Sequence, residues 1–241
     1  MLDEAVQKDI IRTTQAFWDE QCFRPGLRNR MKRKKEKGQG LANWVEEKTV
    51  DMLEDAFDES AAFQRSIVKG KARRDRSMGD IWIESDGVFN PINVKTGVKV
   101  SGEPSKGQPN LVSLNKITDA LLNRWIDSYY LLFIHFVDGR PPTAQVSLVD
   151  LFWIMEAYAS FNSGPGQLML KARDFDRPPR SIYKVKDAGE ALAYLVAKRE
   201  DGNYKMIEKR RRDYKKLKAR AAIFHSAAPL RQAGLLLDPA C

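Results

Sequence analysis

Two strand-forming runs, Asp80-Ile81-Trp82-Ile83-Glu84 and Val88 to Val98, flank the turn signal Ser85-Asp86-Gly87, and this pairing restricts the chain more than any other stretch does. Runs this close are expected to meet as neighbours in a β-hairpin. Side chains alternate between the faces of a strand, so Asn93 and Lys95 share a face. Asp80 opens the first run, and twelve residues separate it from Asn93.

Around the hairpin the chain alternates helix-like and strand-like patterns. Residues 3 to 22 read as a helix with Ala5, Ile10, Ile11, Phe17 and Trp18 among its apolar positions, closed by Pro25 and Gly26. A basic stretch, Arg28 to Lys37, follows and reads either as a solvated segment or as a phosphate contact. From Leu41 to about Phe57 the spacing predicts a helix with Leu41, Val45, Thr49, Met52, Leu53, Ala56 and Phe57 on one side. Glu47, Asp51, Glu54 and Asp58 lie on the other side. Glu46 departs from this division: at about 100° per residue it falls near Val50, Leu53 and Phe57, where a carboxylate needs a partner.

After a polar loop from Lys99 to Gln108, a helix is expected from near Asn110 to about Ile126. Tyr129 to Val137 is almost wholly apolar and reads as a buried strand, with His135 as a core residue rather than a ligand. Gln145 to Ile154 and Gln167 to Arg173 read as further strands, and Asn162 to Gly166 as a turn. Two helices are expected at the end, Ala188 to Arg199 and Tyr204 to Arg220. The second carries Lys205, Lys209, Arg210, Arg211, Arg212, Lys215, Lys216, Lys218 and Arg220, the densest positive surface in the chain. Helices flanking a central group of strands predict an α/β or α+β domain. At 241 residues and 43% hydrophobic content, one domain is expected. Within it, 1–40 forms a basic N-terminal helix and loop, 41–180 the core, and 187–222 the basic C-terminal helices.

A formal charge of +9, with the positives clustered, points to a polyanionic partner: nucleic acid first, an anionic membrane surface second. No apolar run reaches the roughly 18 residues of a membrane span, and the N-terminus lacks signal-peptide regions, so a cytoplasmic protein is expected. Cys22, Cys241 and two histidines supply neither a disulfide framework nor a zinc set.

Phosphodiester hydrolysis needs a divalent cation on oxygen ligands, an activated water, and positive charge beside the phosphate. A hairpin supplies these when an acid starts its first strand and an acid-x-lysine triplet ends the second. Asp80 and Asn93-Val94-Lys95 occupy those places. As a bare string the pattern is weak, since a hairpin with polar ends also satisfies it.

The surrounding residues add to it. Gly79-Asp80-Ile81-Trp82-Ile83 with Ile92-Asn93-Val94-Lys95-Thr96-Gly97 resembles the active-site hairpin of PD-(D/E)xK nucleases, and in particular that of the HincII restriction endonucleases, relatives of EcoRV. Pro109-Asn110-Leu111-Val112-Ser113 with Lys116 resembles the segment opening that family's next helix, and Asn162 with Gln167 to Asp176 its late strand. The resemblance covers roughly residues 40 to 180. It implies a restriction-endonuclease-like core and a homodimer that cuts double-stranded DNA with Mg²⁺ at a short palindromic site, leaving blunt ends.

It further implies Asp80 as the shared metal ligand, Val94 as a backbone carbonyl ligand, Lys95 as the catalytic lysine and Glu46 as the acid on a neighbouring helix. Gln108, Asn110 and Ser113 would fall in the segment that approaches base edges, although Gln108 and Asn110 are also ordinary turn and cap residues. Asn162 and Gln167 would lie in the recognition region, where amides pair with adenine. Lys209, Arg210, Arg211 and Arg212 are expected on phosphates.

One residue departs from the family: HincII carries aspartate where this chain has Asn93. An amide carbonyl can still meet Mg²⁺, but a negative charge is lost. That loss leaves open a catalytically silent DNA-binding relative of the same fold, and a structure-selective repair or junction nuclease is a further alternative within the enzyme class. An RNA-binding protein with a basic helix leaves Asp80, Lys95 and Glu46 unexplained, and the chain lacks aromatic-rich strand motifs for base stacking.

Overall fold

The computed structural model describes residues 2–32, 39–59, 67–68, 78–85, 88–99, 110–137, 139–152, 159–162, 167–170 and 188–232. Helices α1 (Glu4–Phe23), α2 (Pro25–Lys32) and α3 (Gln39–Glu59) precede strands β1 (Ile67–Val68), β2 (Ile81–Ser85) and β3 (Val88–Lys99). Then come β4 (Asn110–Ser113), α4 (Leu114–Leu122), β5 (Tyr130–Val137), β6 (Thr143–Asp150), β7 (Ala159–Asn162), β8 (Gln167–Leu170) and a long α5 (Ala188–Gln232).

A mixed sheet runs β1-β2-β3-β5-β6. Its β3–β5 pair is parallel and the others are antiparallel. The hairpin closes with Ser85 opposite Val88, as two strands joined by a two-residue turn require. The strand β5 is buried on both faces, which accounts for a run that is apolar but for His135. Its residues Tyr130, Leu132, Ile134 and Phe136 join Ile10 and Trp18 of α1 and Val45 and Leu53 of α3 in one core. Leu131 and Phe133 face the other way, toward Leu114, Ile117 and Leu121 of α4 and Ala191 and Leu195 of α5. Trp18 anchors the first core edge-on to Phe17, Trp44 and Phe136. Its ring N–H donates to the Thr49 hydroxyl at 3.1 Å, which in turn donates to the Val45 carbonyl, so a polar atom on the α3 core face is satisfied. His135 is buried and stacked on Phe133, as a core residue is expected to be.

Several boundaries differ from the sequence reading, each for a local reason. Pro25 starts α2 instead of ending the helical region, since a proline's missing N–H costs nothing in a first turn. Leu27 and Met31, one turn apart, anchor that helix by burial, so Arg28 to Lys32 are helical; the remainder of the basic stretch lies outside the described residues. Asn110 to Ser113 form a strand, not the head of a helix, because they pair with β8 in a second sheet ordered β4-β8-β7. The strand β6 ends at Asp150, whose carboxylate accepts the Phe152 N–H at 3.0 Å and turns Leu151 and Phe152 into helix. The two expected C-terminal helices are one, α5, which continues through the buried Gly202; a mid-helix glycine costs only about 1 kcal/mol. No helix among the described residues is long and apolar enough to cross a membrane.

Candidate active site

Just before β2 begins, its ladder with β3 is extended by a side chain. The Asp80 N–H donates to the Ile92 carbonyl at 2.8 Å, and the Asp80 Oδ2 accepts the Val94 N–H at 2.7 Å. Gly79 makes this approach possible. A Cβ there would stand 2.8 Å from the Ile92 oxygen and 2.9 Å from the Ile92 nitrogen, so only glycine lets the segment carrying Asp80 lie against β3. In an extended strand a residue's N–H and C=O point to the same side. The Val94 carbonyl therefore faces the side on which Asp80 sits.

Glu46 reaches this point from α3. Its carboxyl lies beside that of Asp80, and both carboxyls lie close enough to Lys95 to shift its proton affinity. Burial pushes Glu46 up to about 7, and the Asp80 charge adds to the rise while Lys95 opposes it. Asp80 is also raised by burial, against the pull of Lys95 and the Val94 N–H. Lys95 is pushed below the usual lysine range by loss of water, with Asp80 and Glu46 pulling it back. Two carboxyls in contact cannot both ionise cheaply. They share a proton, or a cation takes its place. Among the described residues no three Asp, Glu, His or Cys side chains converge. A divalent ion here would thus rest on Glu46 and Asp80, completed by neutral oxygens such as that of Val94, a donor set that suits Mg²⁺.

A pH dependence follows for the metal-free protein. Folded Glu46 holds its proton up to about pH 7, against an ordinary value of 4.5, so the folded state binds more protons than the unfolded one in that window. Its contribution is full below pH 4.5 and is lost as pH rises through 7. Urea denaturation at pH 5 and pH 8 is expected to show greater stability at pH 5, by on the order of 1 kcal/mol after solvent screening, with the difference reduced in Glu46→Gln. An unchanged difference in that variant would remove Glu46 from the cluster.

Asn93 is buried and shares its strand face with Lys95. Its Nδ2 donates to the Tyr129 hydroxyl at 3.0 Å, and Tyr129 in turn donates to the Met78 carbonyl. Tyr129 escaped the sequence reading as a site residue. The signal was nonetheless present: a tyrosine leading into an almost wholly apolar strand must find a partner for its hydroxyl.

The residues expected to read bases lie elsewhere. Ser113 stands opposite Gln167, and Gln167 opposite Asn162, so the three occupy one row across β4, β8 and β7. The Gln167 Oε1 is buried without a hydrogen-bond donor among the described residues. Asn110 lies three residues before Ser113 on β4, across an irregularity in the register, opposite Met169, and Gln108 falls outside the described residues. Lys209, Arg210, Arg211 and Arg212 are exposed on α5, with Arg211 paired to Glu208 at 3.1 Å.

Comparison of the sequence with protein-family models finds no match, and comparison with curated proteins finds none either.

Proposed function

We propose that this chain is a metal-dependent type II restriction endonuclease of the PD-(D/E)xK kind that hydrolyses double-stranded DNA at a short palindromic site as a homodimer, leaving blunt ends. The observation that carries the reading is the meeting of Glu46, Asp80 and Lys95 beside the Val94 backbone at the open end of one hairpin. Mg²⁺, held there by Asp80, Glu46 and the Val94 carbonyl with Asn93 as a further candidate ligand, would supply Lewis-acid stabilisation of the phosphate and a more acidic water. Lys95, desolvated and next to both acids, is suited to orient the attacking water and to hold positive charge near the phosphate. The row Ser113–Gln167–Asn162 offers amides and a hydroxyl for base edges. Two-fold protein symmetry on a palindrome puts one such site on each strand.

Digestion of genomic DNA with Mg²⁺, followed by sequencing of the ends, tests the reading, with discrete blunt fragments from one site as the expected result. Random nicking, cleavage only at junctions, or no cleavage would each overturn it. One observation favours a second reading, a DNA-binding relative that no longer cuts: Asn93 replaces a carboxylate and its amide N–H is committed to Tyr129. That protein would retard a specific duplex without cleaving it at any Mg²⁺ concentration.

The basic helix gives a separate expectation. At 45 residues α5 is about 67 Å long, and its exposed basic portion can lie along a duplex. Four consecutive residues span about 300° of helix surface, so one duplex meets about two of Lys209, Arg210, Arg211 and Arg212 at a time. Replacing all four by glutamine is expected to weaken DNA binding and to lower the log–log salt slope by about 2, with sequence preference unchanged. An unaltered slope would leave this charge run as solvated surface.

A further inference from the structure

Tyr129 touches both arms of the site at once. Its hydroxyl binds the carbonyl of Met78, two residues before Asp80, and the side chain of Asn93, two residues before Lys95. All three residues are buried, at 0% relative exposure for Tyr129, 6% for Asn93 and 7% for Met78. A hydroxyl has one proton to give, and a backbone carbonyl has none. The Tyr129 proton therefore lies on Met78, and whatever occupies position 93 must be the donor in the other bond. Asparagine meets that demand. An aspartate there would set acceptor against acceptor, or draw the proton away and leave the buried Met78 carbonyl without its donor, each at a cost.

We propose that Tyr129 is a positioning residue of this site, and that its hydrogen bond to the Met78 carbonyl is what makes asparagine, not aspartate, the residue suited to position 93. The proposal rests on the nuclease reading for its metal and cleavage readouts only. The hydroxyl pins the segment that delivers Asp80 to the strand that delivers Asn93 and Lys95, supplementing the close contact of Gly79 with Ile92. Loss of the hydroxyl leaves the ring to fill its space but frees the two arms to separate, and a site misplaced by a fraction of an ångström loses rate before it loses fold.

The test is a double-mutant cycle on the full chain, melted in metal-free buffer, combining Asn93→Asp with Tyr129→Phe. Asn93→Asp is expected to lower Tm in the unaltered background and to lower it less once the hydroxyl is gone. Equal penalties in the two backgrounds, or a larger one with phenylalanine at 129, would overturn the assigned polarity. Tyr129→Phe alone is expected to weaken Mn²⁺ binding, followed by the electron-spin signal of free Mn²⁺, about tenfold, and to lower kcat of cleavage by about tenfold or more at unchanged KM for DNA. A variant with lower Tm but unaltered Mn²⁺ affinity would make the hydroxyl structural only. Should Asn93→Asp fail to fold, the Mn²⁺ titration of Tyr129→Phe decides the positioning role. Should the unaltered chain bind no Mn²⁺ and cut nothing, the nuclease reading and the positioning role both fall, and the sign of the cycle still decides the polarity at position 93.

Discussion

Lys95→Ala is expected to lower the single-turnover rate of DNA cleavage by about a thousandfold or more at saturating Mg²⁺, combining a lost proton-transfer or water-orienting group with lost charge beside the phosphate. The magnitude follows from where the lysine sits. Its ammonium is desolvated yet bracketed by Asp80 and Glu46, so its departure also leaves two carboxyls without their cation. Duplex binding should survive, because non-specific affinity comes from phosphate contacts spread over the surface rather than from this one group. Lys95→Arg sharpens the result: arginine keeps the charge but cannot release a proton at accessible pH. Rescue by arginine would assign Lys95 to charge stabilisation, and failure of rescue to water activation. A rate within tenfold of the unaltered chain for Lys95→Ala would move the chemistry away from this hairpin.

The hairpin was legible because two signals coincide in it: β-forming runs on a period of two, and a short turn that permits a single pairing. Ile81 opposite Ile92 and Ser85 opposite Val88 are the register that this turn dictates. The odd placement of Glu46 on α3 was legible too, since a helix wheel needs no tertiary information, and its Asp80 partner lies on the sheet against which that helix packs. What periodicity could not supply was contact between distant segments. Asn110 to Ser113 became a strand because Gln167 and Met169 lie beside it, and nothing local in four residues announces a partner more than fifty positions away. The Tyr129 bonds likewise span 51 and 36 residues. Gly79 was visible as part of a motif, but its reason, the nearness of the Ile92 backbone, belongs to packing.

Asp80 serves two purposes, and replacing it in two ways should separate them. Its Oδ2 accepts the Val94 N–H at 2.7 Å, which is a structural task that a neutral carbonyl oxygen performs as well. Its charge, held in a desolvated position beside Glu46, is what a divalent cation would meet. Asp80→Asn keeps the acceptor and removes the charge. Metal-free, that variant is expected to melt close to the unaltered chain, since a carboxylate destabilised by burial is exchanged for a neutral amide. Its cleavage should nevertheless fall by about a thousandfold or more, and Mn²⁺ binding should weaken correspondingly, because Glu46 is left as the lone carboxylate for the cation. Asp80→Ala should be equally inactive but also less stable by about 1–3 kcal/mol, the cost of leaving the partly buried Val94 N–H without an acceptor. Denaturant titration of both variants beside their Mn²⁺ isotherms makes the comparison. Equal stability of the alanine and asparagine variants would deny Asp80 its place in the β-ladder, and near-normal cleavage by the asparagine variant would deny it the metal.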